Sequence, residues 1–145
     1  MTTLLRKAKD MKWAKIGEFI DIDDADLPGV KELKDAEASV IFDFKETNRF
    51  GAVFEKWPAV TFDWHYECDE LFHIVSGGPI VVTCDGEVLE GEAGDTFFFT
   101  RGTNLKFEIK NELQGLTVHY PDFEEILGRY KEYAKQLKSK FNRGT

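Results

Sequence analysis

The sequence predicts an all-β chain that closes into a sandwich or barrel, followed by a C-terminal helix. Three observations predict it. Val60, Phe62, Trp64, Tyr66 and Cys68 alternate with Thr61, Asp63, His65 and Glu67, and side chains of period two belong to a strand with one apolar, aromatic face. Further short strand-like runs follow, divided by turn signals roughly every eight to twelve residues, the spacing of sandwiches and barrels. Beyond Pro121 the apolar spacing changes from two to that of a helix.

The elements follow in order. Leu4, Leu5, Ala8 and Met11 suit a short helix over 2–14. The acidic stretch 21–37, with Asp21, Asp23, Asp24 and Asp26, lacks the ordered calcium-loop pattern and reads as a solvated loop with a helical turn near Val30–Ala36. Val40, Phe42 and Phe44 mark a strand over 39–45, and Gly51–Lys56 is another, broken at Trp57-Pro58 because proline donates no ladder hydrogen bond. The strand 60–68 leads through an acidic turn, Asp69-Glu70, into Leu71–Ser76. Ile80–Cys84 and Glu87–Glu90 flank Asp85-Gly86, both of which tolerate the positive φ of a hairpin turn. Gly94-Asp95 makes a turn with the aspartate as its cap, and Thr96–Thr100 reads as a buried strand. Leu105–Lys110 alternates, and Leu116–Tyr120 is the last strand.

A helix of about 18 residues then runs to about residue 141. Phe123, Ile126, Leu127, Tyr130, Tyr133, Ala134, Leu137 and Phe141 form one stripe, with Glu124 and Glu125 at its start and Lys135, Lys138 and Lys140 towards its end, as the helix dipole favours. The stripe suits packing on the outside of the barrel or a dimer contact.

At 145 residues the chain reads as one domain, with a barrel core over roughly 38–120. Of its net charge of −8, the first 15 residues carry +4, residues 122–145 carry +2 and the middle carries −14. So acidic a body argues against nucleic acid as a partner, and the basic ends can pair with it. No apolar run reaches the roughly 20 residues of a membrane span. The N-terminal stretch lacks the apolar core of a signal peptide, so the expected location is the cytoplasm, with Cys68 and Cys84 as reduced thiols.

The residues around the central strands resemble the cupins. The first cupin motif pairs His-x-His with a Glu that is followed by six residues and a Gly, and Glu70 and Gly77 have that spacing. The second runs Gly, five residues, Pro-x-Gly, two residues, His; Gly94, Thr100-Arg101-Gly102 and Leu105 keep its spacing. Phe62, Trp64, Tyr66, Asp69 and Glu70 look most like the short single-domain cupins related to ureidoglycine aminohydrolase and to the ethanolamine-utilisation cupin. The resemblance covers roughly residues 38–120 and implies a double-stranded β-helix, the jelly-roll barrel. It also implies a homodimer, because cupin barrels often pair through edge strands.

The departures bear on chemistry. A cupin metal site uses three imidazoles and one carboxylate, a set suited to Fe, Mn, Ni or Zn. Here Trp64, Tyr66 and Leu105 stand where the histidines would, and Glu70 alone survives. The expectation is therefore no metal and no cofactor. The candidate site is an aromatic and carboxylate pocket for a small molecule, with Glu70 and Tyr66 as a catalytic proton-transferring pair of lyase or isomerase type and Trp64, Phe72 and His119 as binding residues. A carboxyl in such a pocket has its pKa raised by desolvation. His119 keeps that place through its resemblance to a His-Tyr pair in similar sequences, although parity with Leu116 and Val118 points it away from the core. Parity turns His65 and His73 outward, and Arg101 is expected to pair with acidic neighbours. Two alternatives stand beside this reading. One is an accessory or interaction protein with a barrel filled by its own aromatics. The other is a metal-dependent cupin with unusual ligands.

Overall fold

The computed structural model describes residues 3–23 and 26–143, with side chains through residue 140. Among the described residues ten strands form two antiparallel sheets. Strands β1 (Ala14–Lys15), β2 (Glu37–Phe42), β3 (Gly51–Trp57), β10 (Leu113–Tyr120), β5 (Asp69–Gly77) and β8 (Thr96–Phe99) lie side by side in that order. The second sheet runs β4 (Val60–His65), β9 (Asn104–Ile109), β6 (Ile80–Cys84) and β7 (Glu87–Gly91). Helical pieces are α1 (Val30–Asp35), α2 (Phe44–Thr47) and α3 (Phe123–Arg143).

The alternation on β4 becomes a packed wall. Phe62 and Trp64 are buried, whereas Thr61 and Asp63 are exposed. Phe62 stacks on Trp57 at 5.1 Å and lies 5.1 Å from Phe107, which joins the two sheets through aromatic faces. Asp85 and Gly86 both take positive φ in the β6–β7 hairpin, as their types allow. Asp95 caps its turn by accepting a hydrogen bond from the Glu92 N–H at 2.8 Å.

Several boundaries differ from the sequence reading. Residues 3–13 contain only a single 3₁₀ turn, Ala8–Asp10, and Leu4 and Leu5 are exposed; Thr2 lies outside the described residues. A helix there has no apolar wall to bury its stripe against, and short helices without tertiary packing are marginal. The strand expected to reach residue 45 stops at Phe42, because Asp43 starts α2 with a capping box to Glu46. The acidic turn moves forward: Tyr66–Cys68 make the corner, and Asp69-Glu70 already belongs to β5. Strand β8 is not buried throughout, since it is the edge strand and Phe98 points out, 66% exposed.

Helix α3 buries Ile126, Tyr130 and Ala134. Its basic side chains reach the acidic loop of the same chain, Lys138 to Asp26 at 2.9 Å and Lys131 to Asp21 at 3.6 Å. Asp24 of that loop and the Phe141 side chain lie outside the described residues.

Candidate functional site

A cavity of about 570 Å³ lies between the two sheets, walled by β2, β3, β5 and β10 on one side and by β4, β6 and β9 on the other. Inward-facing positions follow from register. On the larger sheet Gly51, His119, Glu70 and Phe99 align in one row, and Val53, Thr117 and Phe72 in the next. A third row holds Glu55, Gly115 and Ile74.

The five site residues named from the sequence, Trp64, Tyr66, Glu70, Phe72 and His119, all line this cavity. Tyr66 continues the ladder beyond β4: its N–H donates to the Thr103 carbonyl at 2.9 Å, and its carbonyl accepts from the Gly102 N–H at 2.7 Å. Its ring stacks on Phe99 at 4.7 Å, and its hydroxyl donates to Glu70 Oε2 at 2.8 Å. His119 sits over Gly51, where a Cβ would come within 2.4 Å of the imidazole. The parity inferred from Leu116 and Val118 fails because those two belong to the outer face of the sheet, while Gly115, Thr117 and His119 face in. Phe72 has the same kind of neighbour in Gly115, at 2.4 Å from a Cβ placed there. Two glycines on the sheet floor thus leave room for two rings.

Sequence reasoning missed Glu55. It shares parity with Gly51, Val53 and Trp57 on β3, so it was legible as a lone carboxyl on an otherwise apolar face. Glu55 Oε2 accepts from Trp57 Nε1 at 3.1 Å. Burial pushes the Glu55 carboxyl up to about 7 against the Trp57 hydrogen bond, which lowers it. Burial first and the Glu55 charge second push Glu70 up to about 8, against the Tyr66 hydrogen bond. Burial likewise raises the Tyr66 phenol and the Cys68 thiol, and lowers the His119 imidazole.

Helix α3 does more than cover the barrel's outside. Ile126 and Tyr130 line the cavity, and Tyr130 lies 5.1 Å from Trp64. The charged rim comprises Arg6, Asp10 and Lys12, the segment Asp43–Lys45, and Asp122 and Glu124.

His65 and His73 do not line the cavity. His65 is outward from the barrel yet covered by α3, stacked on Tyr133 at 3.8 Å and bonded to Asn104 and Glu67. His73 bonds Thr96 at 2.8 Å on the outer face. Arg101 takes the acidic partners expected of it: its Nε donates to Glu67 at 3.1 Å and its backbone N–H to Asp69 at 2.9 Å. Cys68 and Cys84 are free.

The donor set does not suit the metal that cupin barrels commonly hold. An indole, a phenol and a leucine leave Glu70 as the remaining ligand, and a transition ion needs several nitrogen, oxygen or sulfur donors. Among the described residues no three His, Cys, Asp or Glu side chains converge as a metal site.

A family model described as ethanolamine utilisation protein EutQ matches residues 13–124. The chain belongs to the EutQ family. A curated EutQ relative, named acetate kinase EutQ, from Clostridioides difficile strain 630, is 24% identical over 107 residues, 74% of this chain and 64% of that protein. The chain thus spans less than two thirds of that EutQ protein's length. The solved Clostridium difficile EutQ structure superposes with a TM-score of 0.58 at 20% identity, over 79% of this chain and 89% of that one. An RmlC-like cupin from Shewanella frigidimarina gives a TM-score of 0.58 at 13% identity, over 86% and 96%. At such identities these likenesses establish the fold, and this EutQ family member is an all-β cupin barrel. No described helix is long and apolar enough to cross a membrane.

Proposed function

We propose that this protein is a small-molecule-binding cupin that handles a proton at the Tyr66–Glu70 pair without a transition metal. The observation that carries the reading is the 2.8 Å hydrogen bond from Tyr66 to a carboxyl on the wall of an aromatic cavity of about 570 Å³. That volume lies within the usual range for small-molecule sites. Glu70, pushed up to about 8, is mostly protonated at neutral pH and can donate; Glu55, pushed up to about 7, is partly ionised and can accept. Two carboxyls held near the working pH form an acid–base pair, the equipment of a lyase or isomerase step. Trp64, Phe72 and His119 would shape and orient the bound molecule. A metabolite screen by native mass spectrometry tests the reading. A retained compound should lose roughly 1.5–3 kcal/mol of binding or turnover in Glu70→Gln, the cost of losing a charge-assisted contact. An unchanged value would remove Glu70 from the site.

Phosphoryl transfer to acetate, the activity in the name of the Clostridioides difficile relative, finds less support. Acetate and a phosphoryl donor are anions, and the cavity residues include Asp10, Asp43, Glu55, Glu70, Asp122 and Glu124 against Arg6, Lys12 and Lys45. The accessory-protein reading has one observation in its favour. Phe98 on edge strand β8 is 66% exposed beside its register partner Leu71, 38% exposed. Exposed edges are normally covered, and the homodimer expected from the cupin resemblance would cover this one. Light scattering at micromolar concentration distinguishes dimer from monomer.

A further inference from the structure

We infer that the cavity takes a small organic cation, a protonated amine, whose charge is met by Glu55 and Glu70 and whose carbon skeleton rests on the aromatic wall. The inference builds on the proposal that the cavity is a ligand site, and adds the class of ligand.

The carboxyls enter from different strands of one sheet, Glu55 from β3 and Glu70 from β5. Among the described residues each has a single hydrogen-bond partner, and both partners are neutral: the Trp57 indole N–H at 3.1 Å and the Tyr66 hydroxyl at 2.8 Å. The other oxygen of each, Oε1, accepts no hydrogen bond from the described residues, and neither is sealed away from the cavity. Two half-satisfied carboxyls on one cavity wall are costly to ionise unless a cation joins them.

Among the described residues none supplies that cation. Arg6 is engaged with the Ile41 carbonyl and with Glu46. Lys45 pairs with Glu124 at 3.5 Å, and Lys12 lies at the exposed rim. The acidic rim residues Asp10, Asp43 and Asp122 add negative charge around the entrance. Of the remaining groups that face the cavity, Cys68 is neutral as a thiol, Tyr130 as a phenol, and burial favours the neutral imidazole of His119. The walls add a second attraction. Trp57, Phe62, Trp64 and Tyr66 line the cavity, and an aromatic ring attracts an ammonium group that reaches its face, more strongly when water is excluded.

A matched series tests the inference: n-butylammonium, 1-butanol and butyrate share a skeleton and differ in charge. The indole N–H signals of Trp57 and Trp64 report binding by NMR titration of the whole chain. Butylammonium should bind roughly tenfold or more tightly than butanol, and butyrate least. The amine stays protonated from about pH 6 to about pH 8, while the cavity carboxyls lose protons across that range. Its affinity should therefore rise by roughly tenfold with pH, and butanol's should not. Glu55→Gln should remove most of that preference and leave butanol binding in place. The wild-type pH dependence decides the matter even where the variant does not fold.

Butanol or butyrate binding as tightly as the amine would overturn the cationic class and leave the cavity standing as a ligand site. Butyrate tightening as pH falls would also overturn it, by showing the carboxyls at work as hydrogen-bond donors. Binding of none of the three would overturn this inference together with the site reading beneath it.

Discussion

Glu67 and Glu70 are three residues apart and meet opposite circumstances. Glu67 points out of the barrel, where His65 Nε2 lies at 3.0 Å from Oε1 and Arg101 Nε at 3.1 Å from Oε2, so both oxygens are held. Helix α3 closes over this cluster through Tyr133 and through Arg129, which donates to the Glu67 carbonyl at 3.1 Å. Glu70 points into the cavity and has, among the described residues, one neutral hydrogen-bond partner, Tyr66. The corner Tyr66–Cys68 turns the chain between the two, so a single loop sorts one carboxylate into an outer ion cluster and the other into the cavity. Glu67 thus lies within reach of an imidazole and a guanidinium, whereas burial first and Glu55 second drive the Glu70 carboxyl up against the single hydrogen bond from Tyr66.

The largest effect that would sharpen this contrast is on stability against pH. In the unfolded chain Glu55 and Glu70 have pKa values near 4.5, and in the folded protein near 7 and 8. The folded state therefore binds more protons between those limits. Stability contributed by the two groups is highest below about pH 4.5 and falls as pH rises through about 8. His119 works the other way, since its lowered pKa makes stability rise as pH climbs towards 6.5 and level off above it. Comparing wild type with Glu55→Gln/Glu70→Gln cancels the His119 contribution. The double variant should match or trail wild type near pH 4.5 and exceed it near pH 8 by on the order of 3 kcal/mol. Urea unfolding at several pH values measures this. A wild-type advantage that persists near pH 8 would mean that the cavity carboxylates are satisfied by something other than a proton.

The outer cluster should respond differently. Glu67→Ala removes the acceptor for Arg101 and one partner of His65, which keeps Asn104 at 2.9 Å. The expected loss is about 1–2 kcal/mol of stability, with unchanged affinity for butylammonium. A change in that affinity would show that the two carboxylate environments communicate through the corner.

Much of the barrel was legible because its signals are local. The alternation over Val60–His65, the Asp85-Gly86 turn and the helical stripe after Pro121 each depend on a few neighbouring residues. The Tyr66–Glu70 contact was legible through the cupin resemblance, which brought motif positions together that periodicity alone would not. Glu55 was missed because its importance is tertiary: a lone carboxyl on an apolar strand face matters only once β3 is known to lie beside β10 and face the same cavity as Glu70. The absent N-terminal helix has a tertiary cause too. Leu4 and Leu5 have helical spacing but are exposed, with no wall to bury them. The place of α3 at the cavity end was half legible. Its stripe said that it packs, but the contact from Tyr130 to Trp64 decides where.

The smallest effect concerns the phenol that distinguishes the inner carboxyl from a wholly unpartnered one. The hydrogen bond from Tyr66 stabilises the Glu70 carboxylate, and so opposes the rise that burial and Glu55 impose. Tyr66→Phe keeps the ring in its stack on Phe99 and removes only the hydroxyl. The Glu70 pKa should then move further up, in the direction burial already drives it. Stability should fall by about 1 kcal/mol or less, because the lost bond is single and the freed oxygen still faces the cavity, where water can reach it. Carboxyl NMR titration of Glu70 in wild type and variant reads the shift, and urea unfolding reads the cost. A Glu70 pKa that stays put or falls would show that the phenol does not hold this carboxylate, and would leave the inner and outer glutamates separated by burial alone.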